Sequence, residues 1–357
     1  MKLIPTSVSM LAVSFLAVLA ILCLVSGSGC SDKENTSGAK YAPSRQGETM
    51  NFVFASYAES EEELRHVLFL VQSLREFGGR FSDAPFWLFI PRDSTTIPTQ
   101  LGMQFDSLNI EVMTSTSPEI THTLYFNGKV FASGKAEQVA VERGYHVLVW
   151  MDEDTIILQE PEAFALSEGT VLAYRPVMHN RSGTLWGQTP NEFWREIYRA
   201  SSVDVKTLFP MVTPGDNQKI NAYFNAGLLV VRPELGMLRA WGEDFTRLCT
   251  DSTLRQMCKD NVTNRIFLHQ TALVSAVLHR ASQEQLVELP LTYNFPLFFH
   301  QQWDATREFD TINDIITLRY DVYFHNPDPE WTSKLHGPKD RVDWIIAHLS
   351  DEAQSGK

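Results

Sequence analysis

The sequence predicts an α/β domain: a mostly parallel sheet with helices on both faces, formed by one large domain. Three observations lead there. Short apolar segments alternate with longer segments of helical period through the first half of the chain. Hydrophobic residues make up 44% of the 357, with 22 Phe and 8 Trp, which is enough for a large core. The apolar run Val147–Met151 ends in Asp152-Glu153-Asp154, two carboxylates one residue apart at a strand tip. In open α/β sheets ligands bind beyond the carboxyl ends of strands.

The elements follow in chain order. Residues 51–56 (NFVFAS) read as a first strand. Ser60 and Glu63 have capping-box spacing, and Leu64, Val67, Leu68, Val71 and Leu74 then recur at helical spacing until Gly78-Gly79. Residues 86–90 form a short strand stopped by Pro91, and residues 108–113 another. Residues 129–143 read as a helix ended by Gly144, and residues 146–151 as the strand that carries Asp152. The second half is less regular. It offers strands at 171–174, 222–231, 287–289 and 321–325, with helices at 235–248, 265–280 and 341–348.

The ends of the chain narrow the setting. Lys2, an apolar run from Val8 to Val25 and the small residues before Cys30 describe a signal peptide or membrane anchor over residues 1–30. The polar stretch after Cys30 favours a lipoprotein lipidated at that residue, on the extracytoplasmic side of a membrane. A single-pass signal anchor is the alternative, since 18 apolar residues are at the lower limit of a span. Residues 31–48 read as a flexible linker, and the domain is expected over 49–350. A net charge of −13 argues against a nucleic-acid partner. Cys249 and Cys258, nine apart around a polar loop, can either pair or remain thiols.

Chemistry concentrates in five places. Residues i and i+2 of an extended chain point the same way, so Asp152 and Asp154 can converge on one hard cation. Such a cation completes its shell with water and substrate phosphates. Phe224-Asn225-Ala226-Gly227 opens an apolar strand with two small residues that permit close approach, beside an amide with donor and acceptor. His269-Gln270 lies on an apolar helix and can face a sugar. Leu289-Pro290-Leu291-Thr292-Tyr293-Asn294 is a Pro-punctuated loop. His325 ends a late strand and can complete a metal site, with His336 as a second candidate.

That order of motifs resembles the GT-A (Rossmann-like) glycosyltransferases, and among them the glycogenin-like family 8. The resemblance spans residues 51–336. It implies a metal-dependent, hexosyltransferase-like enzyme that moves a sugar from a nucleotide-diphosphate donor to a glycan, glycolipid or glycoprotein acceptor. It implies Mn²⁺ (or Mg²⁺) at Asp152 and Asp154 with His325 as third ligand, Asn225 and Gln270 on the sugar and acceptor side, and Lys129 or Lys135 on the donor phosphates. Two departures stand out. The family usually has Asp before the Gln, where this chain has His269, and it usually follows its late His with Gly and Lys-Pro-Trp, where this chain has Asn326-Pro327-Asp328-Pro329.

The extracytoplasmic setting conflicts with a donor made in the cytosol. The alternatives are a lipid-linked donor, a compartment supplied with nucleotide sugars, or a non-catalytic, membrane-anchored carbohydrate-binding protein with a degenerate GT-A fold. A metal-dependent phosphohydrolase would need more His and Asp ligands than the sequence offers.

Overall fold

A computed structural model describes residues 50–92, 96–297, 311–320 and 330–355. All elements below belong to the compact unit of residues 43–357.

Strand β1 (Phe52–Tyr57) leads into helix α1 (Glu61–Phe77). The capping box forms in full: Ser60 Oγ accepts from the Glu63 N–H, and the Glu63 carboxylate accepts from the Ser60 N–H. Strand β2 (Phe86–Pro91), helix α2 (Thr99–Ser107), strand β3 (Ile110–Ser115), helix α3 (Asn127–Glu142) and strand β4 (Val147–Met151) continue the β-α-β rhythm. After Asp152–Asp154 comes the short strand β5 (Thr155–Ile157), then β6 (Leu172–Pro176) and helix α4 (Glu192–Ser201). A two-stranded ribbon, β7 (Pro210–Val212) and β8 (Lys219–Asn221), precedes β9 (Phe224–Val231). Helices α5 (Met237–Thr250), α6 (Ser252–Asp260) and α7 (Val262–Arg280) are followed by β10 (Leu286–Glu288), β11 (Phe295–Pro296), β12 (Thr317–Arg319), α8 (Trp331–Lys334) and α9 (Lys339–Ser355).

The main sheet has the order β10-β6-β9-β4-β1-β2-β3. Every pairing in it is parallel except the two made by β9, which runs against its neighbours β4 and β6. The predicted mostly parallel sheet flanked by helices is therefore present. Its strands are buried on both faces, as a parallel sheet requires. In β4, Leu148 and Trp150 pack toward α3, α5 and α7, while Val147, Val149 and Met151 pack toward α1 and α2. A second, three-stranded sheet β11-β12-β5 forms its own cluster with α8 and α9, including Leu318, Trp331, Ile345 and Leu349.

Several boundaries move. Leu108 closes α2 and Asn109 takes a left-handed φ of 54°, so the third strand starts at Ile110 rather than at residue 108. The strand expected from 222 starts at Phe224, because Ala222 donates its N–H to Phe209 O as the ribbon turns into β9. The helix expected from 265 starts at Val262, where Asn261 Oδ1 accepts from Thr263 and Asn264. Cys249 and Cys258 are buried free thiols, so of the two readings left open the disulfide is the one not realised. The strand proposed for 321–325 lies outside the described residues, and so do the signal and linker segments 1–48. No helix among the described residues is long and apolar enough to cross a membrane.

Candidate active site

The reversal of β9 creates the site. In a parallel sheet the strands end together at one edge, and a strand running the other way starts at that edge. The β4–β9 ladder continues one residue beyond β4, where the Asp152 N–H donates to Gly227 O at 2.8 Å. Asn225-Ala226-Gly227 therefore lies beside the acidic tip of β4. Asn225 Oδ1 accepts from the Gly227 N–H at 2.7 Å and from Asn294 Nδ2 at 3.1 Å. Gly227 is required for space: a Cβ there would lie 2.8 Å from Asp152 Oδ2 and 2.7 Å from Arg319 Nη1.

Asp152 and Asp154 are buried, at 5% and 6% exposure. Strand β5 carries the chain away from them, and its position is fixed by the Ile157 N–H donating to Ser73 Oγ on α1 at 2.9 Å. Strand β12 then pairs antiparallel with β5 and sets Arg319 opposite Thr155. From there the guanidinium reaches both acids: Nη2 is 3.0 Å from Asp152 Oδ2, and Nε is 3.1 and 3.3 Å from the two oxygens of Asp154. Lys129, in the first turn of α3, forms an ion pair with Asp152 Oδ1. Each of the four carboxylate oxygens thus has a cation against it. Burial would raise the pKa of Asp152, but Lys129 and Arg319 outweigh it and hold the carboxyl below its ordinary value. Glu153, between the pair, is pushed well above the ordinary range, first by burial and then by the charges of Asp154 and Asp152.

An aromatic shelf adjoins this cluster. Phe126 precedes α3 with a left-handed φ of 62° and is 46% exposed. Its ring centroid is 4.5 Å from that of His269 and 5.6 Å from the Lys129 ammonium. His269 is buried, its Nδ1 contacts Ile266 O at 2.8 Å, and its carbonyl accepts from Trp241 Nε1 at 2.7 Å. Burial first, then the Lys129 charge, lower its pKa to about 3, so the imidazole is neutral at physiological pH. Gln270 Oε1 and Asn294 Oδ1 are enclosed with no hydrogen-bond partner among the described residues. An enclosed amide oxygen without a partner carries a desolvation cost that a ligand donor would relieve.

The structure thus gathers Asp152, Asp154, Lys129 and Asn225, and sets Gln270 next to His269. Lys135 stands apart, exposed on α3, with Nζ 3.2 Å from Gln138 Oε1. His325 lies outside the described residues. His336 is exposed, and its carbonyl accepts the Ile312 N–H. Arg319, Phe126 and Asn294 carried no predicted role of their own. Arg319 gives little sequence signal, since Asp154 is 165 residues away.

The described residues do not fit the Mn²⁺ or Mg²⁺ that the family resemblance implies. Such an ion binds carboxylate oxygens at roughly 2.0–2.2 Å. Here those oxygens face an ammonium and a guanidinium, and a guanidinium does not deprotonate in proteins. Among the described residues no three His, Cys, Asp or Glu side chains group to hold a metal.

Residues 58–281 match the family model described as the Rhodobacterales glycosyltransferase domain. That range contains Lys129, Asp152, Asp154, Asn225 and Gln270 and stops short of Asn294 and Arg319. No curated protein matches the chain significantly. Similar solved structures include the galactosyltransferase LgtC in complex with donor and acceptor sugar analogues (12% identity, 86% of this chain and 96% of that chain, TM-score 0.42). They also include the bifunctional glycosyltransferase WbbM (12%, 88% and 52%, 0.45) and mouse xyloside xylosyltransferase 1 (14%, 76% and 97%, 0.42). The chain spans about half the length of WbbM. Likenesses this distant assign no role to any residue.

Proposed function

We propose, for a chain that belongs to the Rhodobacterales glycosyltransferase domain family and is therefore a glycosyltransferase, that its donor is a nucleotide-diphospho-sugar and its acceptor a glycan, glycolipid or glycoprotein. One observation carries the reading: a buried cluster of two carboxylates and two cations sits at the carboxyl edge of the sheet, next to Asn225 and Asn294, and the enclosed Asn294 amide oxygen has no partner among the described residues. The cluster suits a diphosphate. The amides of Asn225, Gln270 and Asn294 suit sugar hydroxyls, which both donate and accept.

The chemistry follows from where charge develops. As the bond between the anomeric carbon and the diphosphate breaks, negative charge grows on the departing phosphate oxygen. Lys129 stands 5.6 Å above the Phe126 ring, in the first turn of α3, where its ammonium can meet that charge. Asp152 and Asp154 hold the cations in place before substrate arrives, so little reorganisation is needed during the reaction. Phe126 offers a partly exposed ring face against which an acceptor sugar or the nucleobase can stack. A lipid anchor at Cys30 would place this site beside membrane glycolipid acceptors, in line with the targeting pattern of residues 1–30.

The test is donor turnover by the full chain. UDP-, GDP- and dTDP-linked sugars are offered with oligosaccharide acceptors, and nucleotide release is followed alongside an Asp152→Asn variant. Release that the variant abolishes supports the reading. Glycan binding with no nucleotide release or nucleotide affinity would replace it with the carbohydrate-binding alternative.

A further inference from the structure

We infer that Arg319, together with Lys129, takes the place of a divalent cation in this site, so that the nucleotide diphosphate binds without metal. The inference rests on the nucleotide-sugar reading above and adds a residue and a requirement to it.

Three independent features support it. First, the oxygens that a metal would use are engaged: Lys129 on Asp152 Oδ1, Arg319 Nη2 on Asp152 Oδ2, and Arg319 Nε on both oxygens of Asp154. A dication entering here would have to displace a permanently charged guanidinium and then remain beside it.

Second, the guanidinium occupies a built seat. The β12–β5 register sets Arg319 opposite Thr155, one residue after Asp154, and the Tyr320 N–H donates to Asp154 O at 3.0 Å. The backbone therefore fixes where this side chain starts. Gly227 leaves the notch that receives its end, since a Cβ at 227 would meet Nη1 at 2.7 Å. The small residues of the Phe224-Asn225-Ala226-Gly227 strand thus make room for an arginine as well as for Asp152.

Third, Asp152 and Asp154 are nearly inaccessible, and within that enclosure an ammonium and a guanidinium face them. An unpaired carboxylate pair at such burial would call for an external cation, and here the chain supplies the positive charge itself. Guanidinium also suits the ligand, because it presents five donors in a fork that matches phosphate oxygens. Arg319 and Lys129 thus form a diphosphate-binding pair whose geometry the two aspartates set.

Calorimetric titration of the full chain with UDP and with GDP, in EDTA and in Mn²⁺, tests the assignment. Binding in EDTA within about threefold of that in Mn²⁺ is expected for the preferred nucleotide. Arg319→Ala should weaken it in EDTA by about tenfold or more, and Arg319→Lys, which keeps the charge, should restore part of the loss if the alanine variant folds poorly. Spin resonance of added Mn²⁺ should show the ion free in the wild type. Nucleotide binding that appears only with Mn²⁺ would overturn the inference and leave the nucleotide-sugar reading intact. No nucleotide binding under either condition would overturn that reading itself.

Discussion

Two buried acids, Asp152 beside helix α3 and Glu137 on it, meet burial in opposite ways. Asp152 lies against the first turn of the helix and is paired with side-chain cations, Lys129 and Arg319. Glu137, two turns further on and fully buried, meets mainly backbone: its carboxylate oxygens accept from the N–H groups of Leu238 (3.0 Å) and Arg239 (2.9 Å) at the start of α5. Arg239 Nε is 3.5 Å away and contributes a weaker, partly exposed charge. The pKa directions differ accordingly. Asp152 is held below its ordinary value, while burial outweighs the hydrogen bonds at Glu137 and lifts it to about 7. Glu137 serves as a helix cap supplied by a neighbouring helix, an architectural role. Asp152 keeps its charge because full cations stand by, and full cations are what an anionic substrate can recruit. Side-chain cations rather than backbone N–H groups thus separate the acid of the proposed donor site from the acid that holds the fold.

The sharpest way to break this comparison is to remove a cation. Arg319→Ala should lower kcat/KM by about 10²–10³-fold in a donor-turnover assay, and it should cost about 3–5 kcal/mol in denaturant unfolding, because two buried carboxylates lose the guanidinium that faces them. A loss of stability without loss of turnover in the folded fraction would put Arg319 on the architectural side.

Removing the cap comes next. Glu137→Ala should leave turnover per folded molecule unchanged and reduce stability by about 2–3 kcal/mol, since two helix-terminal N–H groups become buried and unpaired. Its pH dependence has a definite sign. The folded-state pKa of about 7 lies above the ordinary 4.5, so the folded protein holds this proton more tightly than the unfolded chain. The contribution is complete below about pH 4.5 and is lost as pH rises through about 7. Glu137→Gln should flatten that part of the profile in urea titrations at pH 5 and pH 8.

Smaller effects sharpen the edges. Gly227→Ala should weaken nucleotide binding by about tenfold, as its Cβ pushes against Arg319 Nη1 and Asp152 Oδ2. Lys135→Ala should leave kcat/KM within about twofold, since its exposed ammonium is bonded, among the described residues, only to Gln138.

Much of the fold is visible in the sequence, because its signals are local. The Ser60–Glu63 box, the helical stripe after it and the apolar strand before Asp152 all declare themselves within a dozen residues. Helix α4 was also readable in principle: Asn191 caps it, and Phe193, Trp194, Ile197 and Tyr198 form a buried stripe at helical spacing. The short ribbon of β7 and β8 is harder, since three-residue strands carry too little periodicity to stand out. In the site, the acids and Asn225 stand out by spacing and company, while the sequence leaves Lys129 and Lys135 as alternatives. Arg319 does not stand out, because its role depends on the β12–β5 register, which no local pattern encodes. The metal expectation rests on two converging carboxylates, and the guanidinium that faces those oxygens comes from a distant strand that their spacing does not reveal.

The lateness of β12 has a consequence for the life of the chain. A ribosome delivers Asp152 and Asp154 long before Arg319, which lies 165 residues beyond Asp154. Until then the growing chain has Lys129 but not the guanidinium that faces both acids, and β5 has not yet met β12. A product truncated before residue 319 would keep the strands of the main sheet while lacking the guanidinium that faces both Asp152 and Asp154. The donor binding we propose therefore begins only after β12 has been made and has paired with β5.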